Sequence, residues 1–317
     1  MQNSTPWFIL IGYIAALLLL DFFVLNKKGK TPSIKKALFE TLFFVLNAFV
    51  FAGFIYWFYS SEMVANPEEM TPVSAVIKYI SGYFIELSLS VDNLFVIAVI
   101  FTSFKVPNQF QHKLLFLGIL GALIFRAILI SVGLVLIHEI ESMTLIFGAF
   151  LLFTAFKMLK KEAEHEEVKE SSKLRKFFRM SDVIDGGKFM TKINGKRVFT
   201  ALFGALITIE FTDLLFALDS IPAIFGVTTD PFIVYSSNIF AILGLRSLYF
   251  FLANMLERFS FLKYSVFAIL LFVGLKLMVT NYLDIPEWFS LLFIALSLGV
   301  GIYASILNVP KVEKNEK

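Results

Sequence analysis

Long apolar runs, separated by short clusters of charge, recur along the whole chain. An uninterrupted apolar run of about 20 residues is the length that carries a helix across a bilayer core. Nine such runs are present, at roughly 7–25, 38–59, 78–101, 113–137, 143–159, 199–225, 232–255, 262–280 and 288–307. The pattern predicts an all-α polytopic membrane protein with nine transmembrane helices. The first run, WFILIGYIAALLLLDFFVL, has no basic region before it and five lysines after it. A secretory signal carries its charge first, so this run reads as a retained span.

Charge alternates between the loops. Residues 26–37 hold Lys27, Lys28, Lys30, Lys35 and Lys36 and no acid, whereas the next loop holds Glu62, Glu68 and Glu69. Lys105 and Lys113 follow on one side, Glu139 and Glu141 on the other; 157–198 is basic, as are Arg258 and Lys263, and Asp284 and Glu287 close the series. Basic loops stay in the cytosol, which predicts an N-terminus outside and a C-terminus inside, across a bacterial plasma membrane. The one sizeable polar segment is 160–198. KEAEHEEVKESSKLRKFFRM reads as a charged amphipathic helix, and KFMTKINGKRVFT as a hairpin turning at Asn194-Gly195. It is a solvated connector or a docking element for a cytosolic or translocon partner.

The composition narrows the chemistry. Hydrophobic residues make up 58% of 317 and charged residues 17%, with a mean hydropathy of +0.79. With no cysteine, disulfides, thiolate metal sites and cysteine nucleophiles are all excluded. Three histidines, at 112, 138 and 165, lie at span edges or in a loop, and no phosphate-binding glycine loop is present. Neither a nucleic-acid partner nor an enzyme is expected. An intramembrane hydrolase would need a nucleophile or histidine constellation that the spans lack.

Against this background the run EFTDLLFALDSIPAIF, 210–225, stands out for Glu210, Asp213 and Asp219 inside a span. A carboxylate near the bilayer centre costs about 2.5–3.5 kcal/mol on insertion scales. Pro222 cannot donate to the carbonyl of Leu218, which predicts a broken helix beside Asp219, as in transporters with midplane ion sites. The run also has a partner. ELSLSVDNL, 86–94, aligns with DLLFALDSI, 213–221, setting Glu86 against Asp213 and Asp92 against Asp219. GALIFR, ending at Arg126, aligns with AILGLR, ending at Arg246; AFLLFTAFKML aligns with AILLFVGLKLM, setting Lys157 against Lys276. Two consecutive units of three spans must cross in opposite senses, an inverted-topology repeat. The predicted organisation is two N-terminal helices in 1–77, a first repeat in 78–159, the cytosolic loop 160–198, a second repeat in 199–281, and a last helix with its tail in 282–317. Spans one, two and nine would be peripheral.

Inside the spans Glu86, Asp92, Glu210, Asp213 and Asp219 face only Arg126 and Arg246, leaving three negative charges uncompensated. Buried unpaired carboxylates protonate or find a cation. The two arginines, near mid-span, are expected to tie down one of these carboxylates each. Ser88, Ser90, Asn93, Thr208, Thr212 and Ser220 add oxygen donors, a set that suits Mg²⁺, Ca²⁺ or Mn²⁺ rather than Zn²⁺ or Cu⁺. Residues six apart point about 120° away from each other, whereas Glu210 and Asp213, three apart, share a face. Lys157 and Lys276 read as snorkelling anchors. Asp21 and Glu40, near cytosolic span ends, are expected to be solvated.

SLSVDN, EFTDLLFALDSIPAIF and TTDPFIVYSSNIFAILGLR together resemble the TerC integral membrane family, and within it the Alx-like members, over about 78–282. The family was named for tellurium resistance, and members are associated with manganese export. The resemblance implies metal-handling roles for Glu86, Asp92, Asn93, Glu210, Asp213 and Asp219, with Mn²⁺ as transported substrate and no tightly bound cofactor. Tellurite itself is an oxyanion, which surplus carboxylate would repel, so a tellurium phenotype would be indirect. The expected function is divalent-cation export by alternating access; the other reading is a membrane scaffold docking partners through 160–198.

Overall fold

The computed structural model describes residues 4–25, 32–140, 142–159, 181, 183–193, 196–252, 261–279, 283 and 285–307. Its helices are α1 (Thr5–Leu20), α2 (Ile34–Ser60), α3 (Pro72–Ser103), α4 (Asn108–Glu139), α5 (Met143–Leu159), α6 (Ala201–Phe225), α7 (Pro231–Leu243), α8 (Leu245–Leu252), α9 (Leu262–Val279) and α10 (Glu287–Leu307). Among the described residues six segments are helical, long and apolar enough to cross a membrane: Thr5–Phe23, Ile34–Ser60, Asn108–Glu139, Ala201–Phe225, Pro231–Phe251 and Glu287–Leu307. The chain is therefore a multi-pass, mostly helical membrane protein. The α3 helix, 32 residues long, carries Lys78, Glu86 and Asp92, and α5 is shorter, at 17 residues.

The helix starts are written in the sequence. Ser33, Thr71 and Thr200 each accept a hydrogen bond from the backbone N–H three residues on, at 3.4, 3.2 and 3.4 Å, and Asp230 does the same for Ile233 at 3.1 Å. Pro72 and Pro231 occupy the first helical position, where a missing N–H costs nothing. At Gly244 the seventh predicted span divides into α7 and α8. The break predicted at Pro222 does not occur. Pro222 lies one turn from the C-terminus of α6, and the helix runs through it to Phe225.

The polarity of the bundle is inverted relative to a soluble protein. Phe8, Phe39, Leu46, Ile124, Phe153 and Val300 stand exposed around its outside, while Arg126, Glu86, Asn238 and Arg246 are buried. Only a lipid surround makes that distribution favourable. Inside, α3 packs along α7 and α2, α4 along α6, and α5 along α9. The α5–α9 crossing is a backbone contact: a Cβ on Gly274 would lie 3.1 Å from the Gly148 carbonyl oxygen, and one on Gly148 would lie 2.8 Å from that of Gly274. Helices α4 and α6 run in the same sense, with Gly118 against Ile209, Arg126 against Asp213 and Gly133 against Phe225.

The first two helices are not peripheral. Leu10, Phe44, Phe51, Ile55 and Phe58 build one core cluster with Tyr79 of α3 and Phe232 and Phe240 of α7. In the polar segment, β1 (Met190–Ile193) pairs antiparallel with β2 (Lys196–Phe199), Ile193 opposite Lys196, which is the register of the expected hairpin. Lys113 on α4 ties the approach to that hairpin to the bundle, donating to the Gly187 carbonyl at 2.8 Å and lying over the Phe189 ring. Asn194, Gly195 and the amphipathic helix expected over 161–180 lie outside the described residues.

A candidate cation site around Arg126

Arg126, 1% exposed on α4, is the centre of the buried polar network. Its Nε and Nη2 donate to the two oxygens of Asp213 at 3.3 and 3.1 Å, a bidentate grip from the midpoint of α6. Its Nη1 bonds Glu86 of α3, also 1% exposed, and lies 3.3 Å from Ser220 Oγ and 3.4 Å from Asn238 Oδ1. Glu86 is held from three sides. Ser90 donates to Oε1 at 3.2 Å, and Asn238 of α7 donates to Oε2 at 2.9 Å. Three helices besides α4 thus converge on one guanidinium.

Glu210 and Asp213 share the face of α6 that looks at α4, as their spacing requires. Glu210 lies against the bare Cα of Gly121, and its buried Oε2 makes no hydrogen bond among the described residues. Asp219 faces elsewhere. Six residues beyond Asp213, it accepts from Thr154 on α5 at 3.1 Å and lies within electrostatic reach of Lys157. The acids of α6 therefore divide between two neighbours. Asn93 is buried on α3; the side chain of Asp92 lies outside the described residues. Among the described residues no three acidic or imidazole side chains already converge as a ready-made metal cage.

Arg246 departs from its predicted role. Rather than neutralising Asp213 or Asp219, it bonds Asp21, which stands where α1 passes into a π-helical turn at Asp21–Leu25. Asp21 and Glu40 are 3% and 2% exposed, not solvated, and Lys36 pairs with Glu40 at 3.4 Å. The reason is geometric. Asp213 is already held through both oxygens by Arg126, and a second guanidinium cannot enter the same dry space without leaving like charges in contact. The N-terminal helices supply Arg246 with its acids instead. Lys276 donates to Ser290 at 3.0 Å.

Outside the spans, Glu68 gathers a second network. It accepts from Thr228 Oγ1, from Thr229 N and Oγ1, and from Lys78 at 2.7 Å, and Lys78 also pairs with Glu287 at 3.3 Å. Burial works to raise the Glu68 carboxyl, but the Lys78 ammonium and the Thr229 hydrogen bonds outweigh it and hold the group below its ordinary value. Asp230, 0% exposed, is pushed up by burial.

Asn238 and Gly121 are residues that the sequence pattern did not assign, and Asp21 one that it placed in solvent. Asn238 lies in the SSNIF string but carries no charge to advertise it. Gly121 is visible only through what it leaves room for.

Fold and network define a polytopic helical membrane protein with a charged, buried centre. The chain belongs to the integral membrane protein TerC family, whose model matches residues 71–313. It is 40% identical over 305 residues to an uncharacterized membrane protein of Rickettsia felis, covering 95% of this chain and 97% of that one. It is equally 40% identical over 294 residues to a protein of Escherichia coli K12, covering 90% of this chain and 87% of that one. The latter bears the name "Putative membrane-bound redox modulator Alx". No solved structure matches the chain.

Proposed function

We propose that this protein exports a divalent metal cation, with Mn²⁺ as the substrate that the family resemblance implies, through a midplane site built on Glu86, Glu210 and Asp213. One observation carries the reading. Two carboxylates, Glu86 and Asp213, share the single Arg126 guanidinium, a third, Glu210, lies one turn before Asp213 against Gly121, and Arg246, the other arginine that could have compensated them, is engaged by Asp21. The net deficit equals the charge of one divalent ion. A scaffold has no use for surplus negative charge at that depth, where each uncompensated group works against insertion.

In this reading Arg126 holds Glu86 and Asp213 while the site lacks a cation, and an arriving ion displaces it from one of them. Asp92, Asn93 and Asp219 keep the metal-handling role that the family resemblance implies. Glu86 and Asp213, aligned in the two similar segments, meet on the same side chain, as counterparts near the axis of an inverted repeat would. That supports alternating access of two three-helix units, with nine spans, an outer N-terminus and a cytosolic C-terminus in the bacterial inner membrane. No tightly bound cofactor and no enzymatic step belong to the proposal. Thiol redox chemistry does not fit the chain, which has no cysteine.

The test is metal flux in proteoliposomes, with Mn²⁺, Ca²⁺, Mg²⁺ and Zn²⁺ compared side by side. Mn²⁺ flux that is lost in Glu210→Gln and Asp92→Asn, at unchanged protein content, is the expected result. No flux of any of the four ions would defeat the proposal and favour a scaffold acting through 160–198.

A further inference from the structure

The acids at the centre are not equivalent. Glu86 accepts from Arg126, Ser90 and Asn238, and Asp213 takes two N–H groups of Arg126. Glu210 is the contrast: its buried Oε2 has no hydrogen bond among the described residues, and it lies within electrostatic reach of the like charge of Asp213. What holds Glu210 in place is a vacancy on the neighbouring helix. A Cβ on Gly121 would fall inside the van der Waals envelope of both Glu210 oxygens and of the carboxyl carbon between them.

We propose that Gly121 is a positioning residue for Glu210: the bare Cα on α4 seats the one central carboxylate that is free to exchange a cation or a proton, while Arg126 holds the other two. This rests on the transport reading and divides its labour. Glycine is required here for space rather than for backbone freedom, since residue 121 lies within regular helix. The atoms that a methyl group would displace are the far end of a flexible side chain. Gly121→Ala is therefore cheap for folding, yet it moves Glu210 off its seat.

That asymmetry gives the test. Gly121→Ala is expected to unfold in detergent at the wild-type temperature while the Mn²⁺ concentration for half-maximal flux rises about tenfold. Gly121→Ala with Glu210→Asp, which shortens the acid by one methylene, should recover part of the lost affinity. Wild-type half-saturation in Gly121→Ala, or additive losses in the double variant, would overturn the positioning role.

A second readout does not need transport. A hydrophobic carbodiimide modifies carboxyl groups that are protonated in an apolar site, and mass spectrometry counts the adduct on Glu210. Gly121→Ala should change the rate of that labelling even if the wild-type protein moves no metal; an unchanged rate overturns the proposal. Failure of flux alone would count against the transport reading and leave the labelling to decide this one.

Discussion

Glu86 and Asp213, which align with each other in the two similar sequence segments, meet on one guanidinium, that of Arg126. A side chain placed between two such counterparts has no room for its own, and Arg246 accordingly lies against Asp21. The centre of the bundle is thus asymmetric in charge although these short segments align. Arg126→Ala leaves the buried Glu86 and the part-buried Asp213 without their counter-charge, and breaking a buried pair costs about 3–5 kcal/mol. We expect the variant to lose much of its thermal stability in detergent. Arg126→Lys should recover little, since an ammonium cannot reproduce the bidentate grip on Asp213. Wild-type melting of Arg126→Ala would show that the network is solvated rather than dry.

The Arg246–Asp21 pair predicts a specific rescue. Arg246→Ala should destabilise the protein, and Asp21→Asn in the same chain should restore part of the loss by removing the stranded charge. Asp213→Asn should not. Melting curves of the two double variants separate the outcomes, and rescue by Asp213→Asn instead would return Arg246 to the midplane site.

Sequence pattern carried the helices well, because a helix in lipid must be both apolar and long, and caps such as Thr71-Pro72 and Asp230-Pro231 mark its start. It also singled out Glu86, Arg126 and Asp213, since charge within a span has few explanations. It failed where a residue's role depends on a distant partner. Asp21 stands close to the lysines after the first span and reads as solvated; its partner is 225 residues away. Asn238 is neutral, and Gly121 has no side chain to notice. Pro222 misled for a related reason: what a helix proline does depends on its distance from the helix end.

Orientation can be read with introduced cysteines, because the chain has none of its own. Ala65 is exposed in the loop between α2 and α3, and Lys188 is exposed ahead of the hairpin. Ala65→Cys should react with an impermeant thiol reagent added to intact cells, and Lys188→Cys only after the membrane is opened. Reaction of both in intact cells would remove the basis for an inverted repeat.

The Glu68 network predicts a pH dependence of stability. A carboxyl held below its ordinary value of about 4.3 contributes stability that is fully present above that pH and is lost as pH falls through its lower, folded value. Asp230, raised by burial, acts in the opposite sense: its contribution is greatest at low pH and is lost as pH rises through its folded value. Lys78 faces Glu68 from α3, Glu287 approaches Lys78 from α10, and Asp230 stands beside Thr228 and Thr229 at the start of α7. The wild-type melting temperature should therefore drop as pH falls below the ordinary carboxyl value and Glu68 begins to release Lys78. Glu68→Gln keeps the size and an acceptor oxygen but cannot titrate. It should melt lower than wild type near neutral pH, where the ion pair is missing, and should lose the acid-side drop, leaving only the opposing trend from Asp230. Melting in detergent from about pH 3 to 6 measures both effects. A Glu68→Gln curve parallel to that of the wild type would show that other carboxyls set the acid response and that Glu68 is a packing group.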